Sequence, residues 1–176
     1  KISEVIEKLF ASEDNMPLVQ CMDRYEAINE SEAEAAYQLI DHLWDNKYLP
    51  YKHQYKCWET LNAETTDGKC KSIVVTTGTG SGKTECFMLP LVADLIRKHK
   101  SQTVPCNQIE AIFLYPLNAL MEDQKVRLSK LLEGTGLTFA VYNSGLPERE
   151  DEDSEESGLP GEITNRQEMR STPPNI

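Results

Sequence analysis

The feature that most constrains the fold is the glycine-rich stretch TTGTGSGKTE, residues 76–85. It follows KSIVV, a short β-branched run that predicts a buried strand, and it precedes ECFMLPLVADLIRK, whose apolar residues fall on one helical face. A glycine-rich turn between a strand and a helix presents backbone N–H groups and the positive end of the helix dipole to an anion. The order of strand, loop and helix therefore predicts a phosphate-binding loop.

Each residue type in this loop has a predicted part. The three glycines, Gly78, Gly80 and Gly82, can adopt positive φ angles and close the backbone around a phosphate. Lys83 can reach the β- and γ-phosphates, and the Thr84 hydroxyl can ligate magnesium. A merely flexible Gly/Ser/Thr loop would explain the glycines, but it would not explain a Gly-Lys-Thr placed where strand turns to helix.

Composition limits the class of protein. The 176 residues are 39% hydrophobic and 27% charged, which is ordinary for one soluble globular domain. No apolar run is long enough to span a membrane, and the first ten residues, KISEVIEKLF, predict an amphipathic helix rather than a signal peptide. The five cysteines form no CxxC pair, which argues against a zinc site and a disulfide framework. We therefore predict a cytoplasmic protein with reduced thiols and no membrane partner.

The net charge of −11 is unevenly distributed along the chain. Residues 1–36 and residues 148–156 each carry a net charge of −6, whereas residues 37–147 carry +1. The acidity is therefore peripheral, and the predicted phosphate site lies in a nearly neutral region that does not oppose nucleic-acid binding.

Alternating strand and helix patterns predict an α/β fold with a parallel, doubly wound sheet. A helix opens at Ser31, where Ser-Glu-Ala-Glu predicts a capping box, and its apolar stripe continues to Trp44. A short helix is predicted over residues 51–61. A second strand is predicted over residues 109–115, followed by a helix that Gly134 and Gly136 stop; that helix carries on one side Leu117, Leu120, Met121, Gln124, Leu128 and Leu131.

The last part of the pattern is less regular. Residues 137–142, LTFAVY, predict a third strand. Residues 144–161 are acidic and rich in Ser, Gly and Pro, which predicts a solvated, mobile loop. A short helix is predicted from about residue 162 to residue 170, and residues 175–176 look like the start of another strand.

Four segments in this order resemble the first RecA-like domain of a superfamily 2 DEAD/DEAH-type helicase. The loop is similar to motif I, although Thr77 replaces its usual alanine or glycine, and LPYKHQ (residues 49–54) is similar to the glutamine motif. FLYPLNALMEDQ (residues 113–124) resembles motif Ia in the P-x-x-A-L-x-x-D-Q form of bacterial phage-defence and DNA-repair helicases. YNSGLPERE (residues 142–150) is similar to motif Ib. The resemblance implies an incomplete RecA-like domain over residues 48–176 and a helical accessory segment over residues 1–47.

The resemblance also implies site residues, with ATP and Mg²⁺ as cofactors. Gln54 would bond the adenine edge and Tyr51 would stack on the ring, although Gln54 could instead be a solvated helix residue. Lys83 and Thr84 are the candidate catalytic residues, and Thr84 is the Mg²⁺ ligand. The remaining ATP-binding candidates in the loop are Thr79, Gly80, Ser81, Gly82 and Glu85.

The candidate nucleic-acid contacts follow the second strand, where helix N-terminal amides and Asn118 can bind backbone phosphate without reading bases. Alternatively, Asn118 only caps its helix and Gln124 only packs. Backbone contacts do not separate DNA from RNA, but the bacterial branch favours DNA, with defence or repair subunits as further partners. The candidates are Pro116, Leu117, Asn118, Leu120, Gln124 and Gly145.

The sequence contains no recognisable acidic motif that would activate water for ATP hydrolysis. The cluster at residues 150–153 follows no apolar strand, so we do not assign it as the acidic motif. We expect an N-terminal part of a longer chain, inactive by itself, that serves as the ATP-binding domain of a helicase or translocase acting on DNA or RNA. The alternatives are another P-loop NTPase, such as a kinase or nucleotide switch, and a nucleotide-binding interaction module without turnover.

Overall fold

The structure is a computed structural model that describes residues 25–45, 47–63, 71–101, 108–116, 118–149 and 158–176. The predicted helix over the first ten residues lies outside this part of the chain. No helix in the described ranges is both long and apolar enough to cross a membrane. The elements in chain order are α1 (Glu30–Leu39), α2 (Lys52–Asn62), α3 (Lys83–Ser101), α4 (Asn118–Leu132), β1 (Phe139–Ala140), β2 (Glu162–Ile163) and α5 (Arg166–Ser171).

Helix α1 is the predicted second helix with different ends. Its N-cap is Asn29 rather than Ser31, and the backbone N–H of Asn29 donates to the Glu32 carboxylate at 3.0 Å. The helix ends at Leu39, so Trp44 lies beyond it and not on its stripe. The prediction of Ser31 as the cap was wrong because Asn29, two residues earlier, provides the same reciprocal contact with Glu32.

Helix α2 confirms the predicted short helix and packs against α3. The indole of Trp58 is fully buried and its N–H donates to the backbone carbonyl of Glu85 at 2.9 Å. Around it, α1, α2 and α3 bury one apolar cluster, which consists of Ile28, Ala33, Ala36, Tyr37, Ile40, Trp58, Leu89 and Ala93. The phosphate-binding loop is therefore held against a three-helix layer.

Helices α3 and α4 pack on the sheet side of the molecule. Met88 and Val92 of α3 and Leu128 of α4 share a second buried cluster with Leu137 and Phe139. Helix α4 ends at Leu132, just before Gly134, as predicted. Together the two clusters place α3 in the centre, with α1 and α2 on one side and the sheet with α4 on the other.

The regular part of the sheet is the parallel pair β1 and β2. Strand β1 pairs with β2 in the register Phe139 with Glu162 and Ala140 with Ile163. On its other side, the Ala140 N–H donates to the carbonyl of Ile176 at 2.9 Å. Asn175 also accepts from the N–H of Ala111, at 3.1 Å, and so ties the second predicted strand to β1.

The observed sheet differs from several sequence expectations. Residues 109–115 form no regular strand, and of the strand predicted over residues 137–142 only Phe139–Ala140 is regular. The predicted helix over residues 162–170 begins only at Arg166, because Glu162 and Ile163 pair with β1. The segment over residues 71–75 is not a buried strand, since Val74 is 89% exposed. Within the described residues its backbone bonds to no neighbouring strand, and a lone extended segment has no ladder to stabilise it.

Candidate nucleotide-binding site

The loop over residues 76–82 leads directly into α3, which begins at Lys83. Gly80 and Gly82 have φ angles of 72° and 71°, the left-handed region that glycine adopts without a Cβ clash. Gly78 does not have a positive φ, so that part of the prediction was wrong. The N–H groups of the first turn of α3 have no partner within the helix and point into the loop.

The loop is closed by contacts of its own side chains. The Lys83 ammonium donates to the carbonyls of Thr77 and Gly78 at 3.0 and 2.6 Å. The Thr77 hydroxyl lies 2.6 Å from the hydroxyl of Ser81, which is fully buried. The unusual threonine at position 77 therefore fastens the start of the loop to its middle.

Gln54 joins the glutamine motif to the phosphate-binding loop. It is 1% exposed, and its carboxamide oxygen accepts from the Tyr51 N–H at 2.8 Å. Its amide nitrogen donates to the carbonyl of Gly82 at 3.2 Å. A Cβ at Gly82 would collide with the same nitrogen, so the close approach requires glycine. Gln54 is not a solvated helix residue, which was the alternative to its predicted role.

An aromatic group lies beside this contact. The Tyr51 ring stacks on His53 with 5.6 Å between ring centroids, and Tyr25 packs edge-on against His53 at 5.4 Å. His53 Nε2 lies 2.8 Å from the carbonyl of Ser81 in the loop. Sequence reasoning missed His53 and Tyr25; the proximity of His53 to Gln54 was the available signal, whereas nothing in the sequence connects Tyr25 to the loop.

Glu85, a predicted ATP-binding residue, faces α4. Its carboxylate pairs with the Arg127 guanidinium, and the Glu85 side chain is 16% exposed.

Cys86 follows Glu85 in α3, and burial raises the pKa of the Cys86 thiol to about 12. Cys86 and Cys57 are free thiols, as predicted for them, and the other three cysteines lie outside the described residues.

Two residues at the start of α3 have side chains that fit an ATP–Mg²⁺ site. Lys83 supplies a cation for phosphate, and Thr84, half-buried in the first turn of α3, supplies a hydroxyl ligand. Within the described ranges no three His, Cys, Asp or Glu side chains group in a way that could hold a metal by themselves. A hydroxyl ligand next to a phosphate-binding lysine fits a magnesium ion that would be bound largely by the phosphates of a nucleotide.

The family model of the DEAD/DEAH box helicases matches residues 51–163, well over half of the chain. The chain belongs to the DEAD/DEAH box helicase family. A helicase domain of this family is an α/β domain of RecA-like type that uses ATP, which agrees with the parallel pairing of β1 and β2 and with the loop before α3.

Three relatives match parts of the chain. Druantia protein DruE of Escherichia coli (strain UMEA 4076-1) is 38% identical over 100 residues, 54% of this chain and 5% of that protein. The uncharacterized ATP-dependent helicase YprA of Bacillus subtilis (strain 168) is 31% identical over 92 residues, 52% of this chain and 10% of that protein. The ATP-dependent RNA helicase rok1 of Aspergillus clavatus is 34% identical over 83 residues, 46% of this chain and 11% of that protein. No solved structure matches the chain.

The candidate nucleic-acid contacts at residues 116–124 differ in how accessible they are. Pro116 is exposed and Leu120 is 42% exposed, so both are accessible. Gln124 is 5% exposed and accepts from Arg127 Nη1 at 3.4 Å, which favours the packing alternative for this side chain. Leu117 and the Asn118 side chain lie outside what the structure describes.

Gly145 lies in a turn that follows Tyr142. Its N–H donates to the Asn143 side chain at 2.9 Å. The turn is held by Arg166, which donates to the Asn143 carbonyl at 3.2 Å and lies over the exposed Tyr142 ring, 5.1 Å from its centroid. A groove with a volume of about 540 Å³ is bounded by Leu114, Tyr115, Tyr142 and Arg166 among others, so the motif Ia segment and the two residues that adjoin or hold the turn line one groove.

Ion pairs fix the rim of this groove. Arg170 pairs with Glu148, which lowers the pKa of that carboxyl even though both groups are exposed. Lys125 bridges Glu122 and Glu162, at 3.1 Å from each. Residues 150–157 of the predicted acidic loop lie outside the described residues, while Pro147 and Glu148 on its near side accept backbone bonds from α5. Sequence reasoning missed Tyr142 and Arg166, for which the basic pair at positions 166 and 170 was the available signal.

Proposed function

We propose that this chain is the ATP-binding domain of a nucleic-acid-dependent ATPase that couples ATP hydrolysis to translocation on, or unwinding of, nucleic acid. The observation that carries the proposal is the bond from Gln54 to the carbonyl of Gly82, one residue before Lys83. This hydrogen bond joins the glutamine motif to the phosphate-binding loop. A kinase or a nucleotide switch has no need of that arrangement together with the motif Ia segment.

In this proposal Lys83 moves from its own loop to the nucleotide. Its bonds to Thr77 and Gly78 would be exchanged for charge-assisted bonds to the β- and γ-phosphates, which are stronger. The α3 N-terminal amides of residues 83–85 would hold phosphate oxygens. Mg²⁺ on the Thr84 hydroxyl would neutralise charge on the transferred phosphoryl group.

Gln54 would contact adenine through the donor and the acceptor lone pair that its bonds to Gly82 and Tyr51 do not use. A carboxamide has two N–H donors and two acceptor lone pairs. One donor bonds Gly82 and one lone pair accepts from Tyr51, so one of each remains for a base edge. The Tyr51 ring, stacked on His53, would supply the face for the adenine ring.

The nucleic acid would lie along the groove that Tyr115 and Tyr142 line, with Pro116, Leu120 and the Gly145 turn as further contacts outside the lining. We propose DNA rather than RNA as the partner, in a cytoplasmic protein that works with further subunits of a defence or repair system. The similarity to Druantia protein DruE supports this branch. We also propose that residues 1–47 form an accessory segment before the ATP-binding domain, and that the catalytic acid lies outside residues 1–176.

The test uses the full-length natural protein and Lys83→Ala. Titration calorimetry with MgATP should show at least a tenfold loss of affinity, about the value of one charge-assisted bond. Phosphate release stimulated by single-stranded DNA should fall to background. Lys71→Ala, which removes an exposed lysine upstream of the loop, is the matched control and should behave as wild type. Unchanged MgATP affinity in Lys83→Ala would remove the assignment of the loop, and stimulation by RNA alone would reverse the choice of nucleic acid.

A further inference from the structure

An ion pair connects the nucleotide loop to the helix that follows motif Ia. Glu85 lies in the first turn of α3, and its Oε1 atom pairs with the guanidinium of Arg127 on α4. Its other oxygen, Oε2, lies on the loop side, 3.1 Å from where a Cβ on Gly82 would be. One carboxylate therefore touches both the phosphate-binding loop and α4.

Arg127 extends this connection toward the groove. Its Nη1 donates to Gln124 at 3.4 Å, one turn closer to the start of α4. Tyr115, the residue before Pro116, has a buried hydroxyl with no hydrogen-bond partner among the described residues. Tyr115 and Gln124 line the same cavity of about 540 Å³. The contacts therefore run from Glu85 through Arg127 to Gln124, which borders the same cavity as Tyr115.

The structure also gives Arg127 space to move. Glu85 and Arg127 both line a cavity of about 280 Å³ between α3, α4 and residues 43–45. The Arg127 side chain is 42% exposed. A side chain with open space beside it and two polar partners can be displaced by a shift at either end, and residues between two sites can modulate the coupling between them.

We propose that Arg127 is a positioning residue that couples nucleotide binding at the loop to nucleic-acid binding at the groove. The proposal rests on the proposed function and adds the contact that transmits it. Nucleotide at the loop shifts Glu85, Arg127 follows, and the first turns of α4 with Pro116 and Leu120 change position. Arg127 itself contacts neither the nucleotide nor the nucleic acid.

The experiment measures coupling directly in the full-length protein. Dissociation constants for a fluorescent ATP analogue are determined with and without a saturating single-stranded DNA oligonucleotide, and their ratio is the coupling factor. The variants are Arg127→Gln, Arg127→Lys and, as the control, Lys130→Gln, which removes a cation one turn further along the same helix. Thermal melting confirms that each variant folds.

Arg127→Gln should lower the coupling factor by about threefold or more, within the range expected for residues between two coupled sites. The dissociation constant without DNA should stay near the wild-type value. The effect of nucleotide on DNA affinity should fall by the same factor, because coupling is reciprocal. Arg127→Lys should keep part of the coupling and Lys130→Gln all of it.

A coupling factor equal to wild type in a folded Arg127→Gln protein would overturn this inference and leave the proposed function intact. If that variant does not fold, Glu85→Gln removes the same ion pair from the other side, and an unchanged coupling factor there has the same meaning. A wild-type protein that binds both ligands without coupling would also overturn the inference. A wild-type protein that binds neither would overturn the proposed function with it.

Discussion

Gly80 and Gly82 share one backbone conformation in very different surroundings. Their φ angles are 72° and 71°, so a side chain at either position meets the same left-handed strain. A Cβ at Gly80 would meet nothing within 4 Å, whereas a Cβ at Gly82 would collide with the Gln54 amide. At the scale of single residues, the loop is therefore shaped by its contact with Gln54 as much as by backbone freedom.

Gly82→Ala should reduce stability and MgATP affinity more than Gly80→Ala. Both variants carry the left-handed penalty of about 1–2 kcal/mol. Only Gly82→Ala also displaces Gln54 and leaves its buried amide unsatisfied, which adds about 1–3 kcal/mol. Urea unfolding and calorimetric titration of the two variants isolate that difference, and equal losses would show that the bond between Gln54 and Gly82 is not significant.

At the scale of elements, the junction of α2 and α3 holds the loop in place. Trp58 on α2 is fully buried, donates to the Glu85 carbonyl of α3, and lies 5.8 Å from the Trp44 ring. Arg97 on α3 donates to the Asn62 side chain at the end of α2 at 2.8 Å. Two contacts, one near the middle of α2 and one at its C-terminal end, therefore hold α2 against α3 and support the position of Gln54 beside the loop.

Trp58→Phe should lower the free energy of unfolding by about 1–3 kcal/mol, because the Glu85 carbonyl loses its donor and part of the ring volume is left unfilled. Trp44→Phe is the matched control, since Trp44 also donates to a carbonyl, that of Tyr48, but is less buried. Its cost should stay below about 1 kcal/mol. Urea titration followed by circular dichroism measures both, and a larger loss for Trp44→Phe would contradict the role assigned to Trp58.

At the scale of the whole molecule, charge is segregated. Residues 150–156 carry six acids in seven positions, whereas Lys125, Arg166 and Arg170 line the groove. Like charge near a phosphate backbone weakens binding, and the effect is strongest at low salt. The acidic segment is therefore expected to limit affinity for nucleic acid.

Replacing the six acids of residues 150–156 by their amides should strengthen DNA binding and barely change stability. Deleting the same residues is the companion variant, which separates charge from length. Fluorescence anisotropy with single-stranded DNA at 50 and 200 mM salt, on the order of the range in which phosphate contacts are screened, measures the gain. A large fall in melting temperature in the amide variant would instead show that the segment is packed and structural.

Exposed apolar side chains are also a property of the whole molecule. Val74, Ile112 and Leu114 are 89%, 73% and 88% exposed, along segments that the sequence predicts as strands. Unpaired segments with exposed apolar side chains associate readily. Among the described residues, segments predicted as strands therefore expose apolar side chains to solvent.

We expect residues 1–176, expressed alone, to be poorly soluble or partly unfolded, to bind MgATP weakly and to release no phosphate above background. Size-exclusion chromatography and a phosphate-release assay test this. A variant with Val74→Thr and Ile112→Thr should be more soluble, since both changes keep β propensity and reduce apolar surface. Multiple-turnover phosphate release that Lys83→Ala abolishes would place the catalytic acid inside these residues, and the cluster at residues 150–153 would be tested first.

The sequence by itself determined the features that depend on local spacing. The loop before α3, the helix that carries Gln54, the end of α4 at Gly134 and the family all follow from motifs within a few residues of each other. Strand pairing was predicted less well, because a strand is stable only with partners that lie far away in sequence. Glu162 and Ile163 are a strand because β1 lies beside them, and residues 71–75 are not one because no described neighbour does.

Only the tertiary structure decided which side chains serve the site. Glu85 and Arg127 are 42 positions apart, and His53 meets the Ser81 carbonyl across 28 positions. Gln124 is a polar residue that the sequence left open as either a nucleic-acid contact or a packed residue, and it is 5% exposed. Such contacts depend on how α2, α3 and α4 pack against each other, and that packing is set by summed burial over the two apolar clusters rather than by any local pattern.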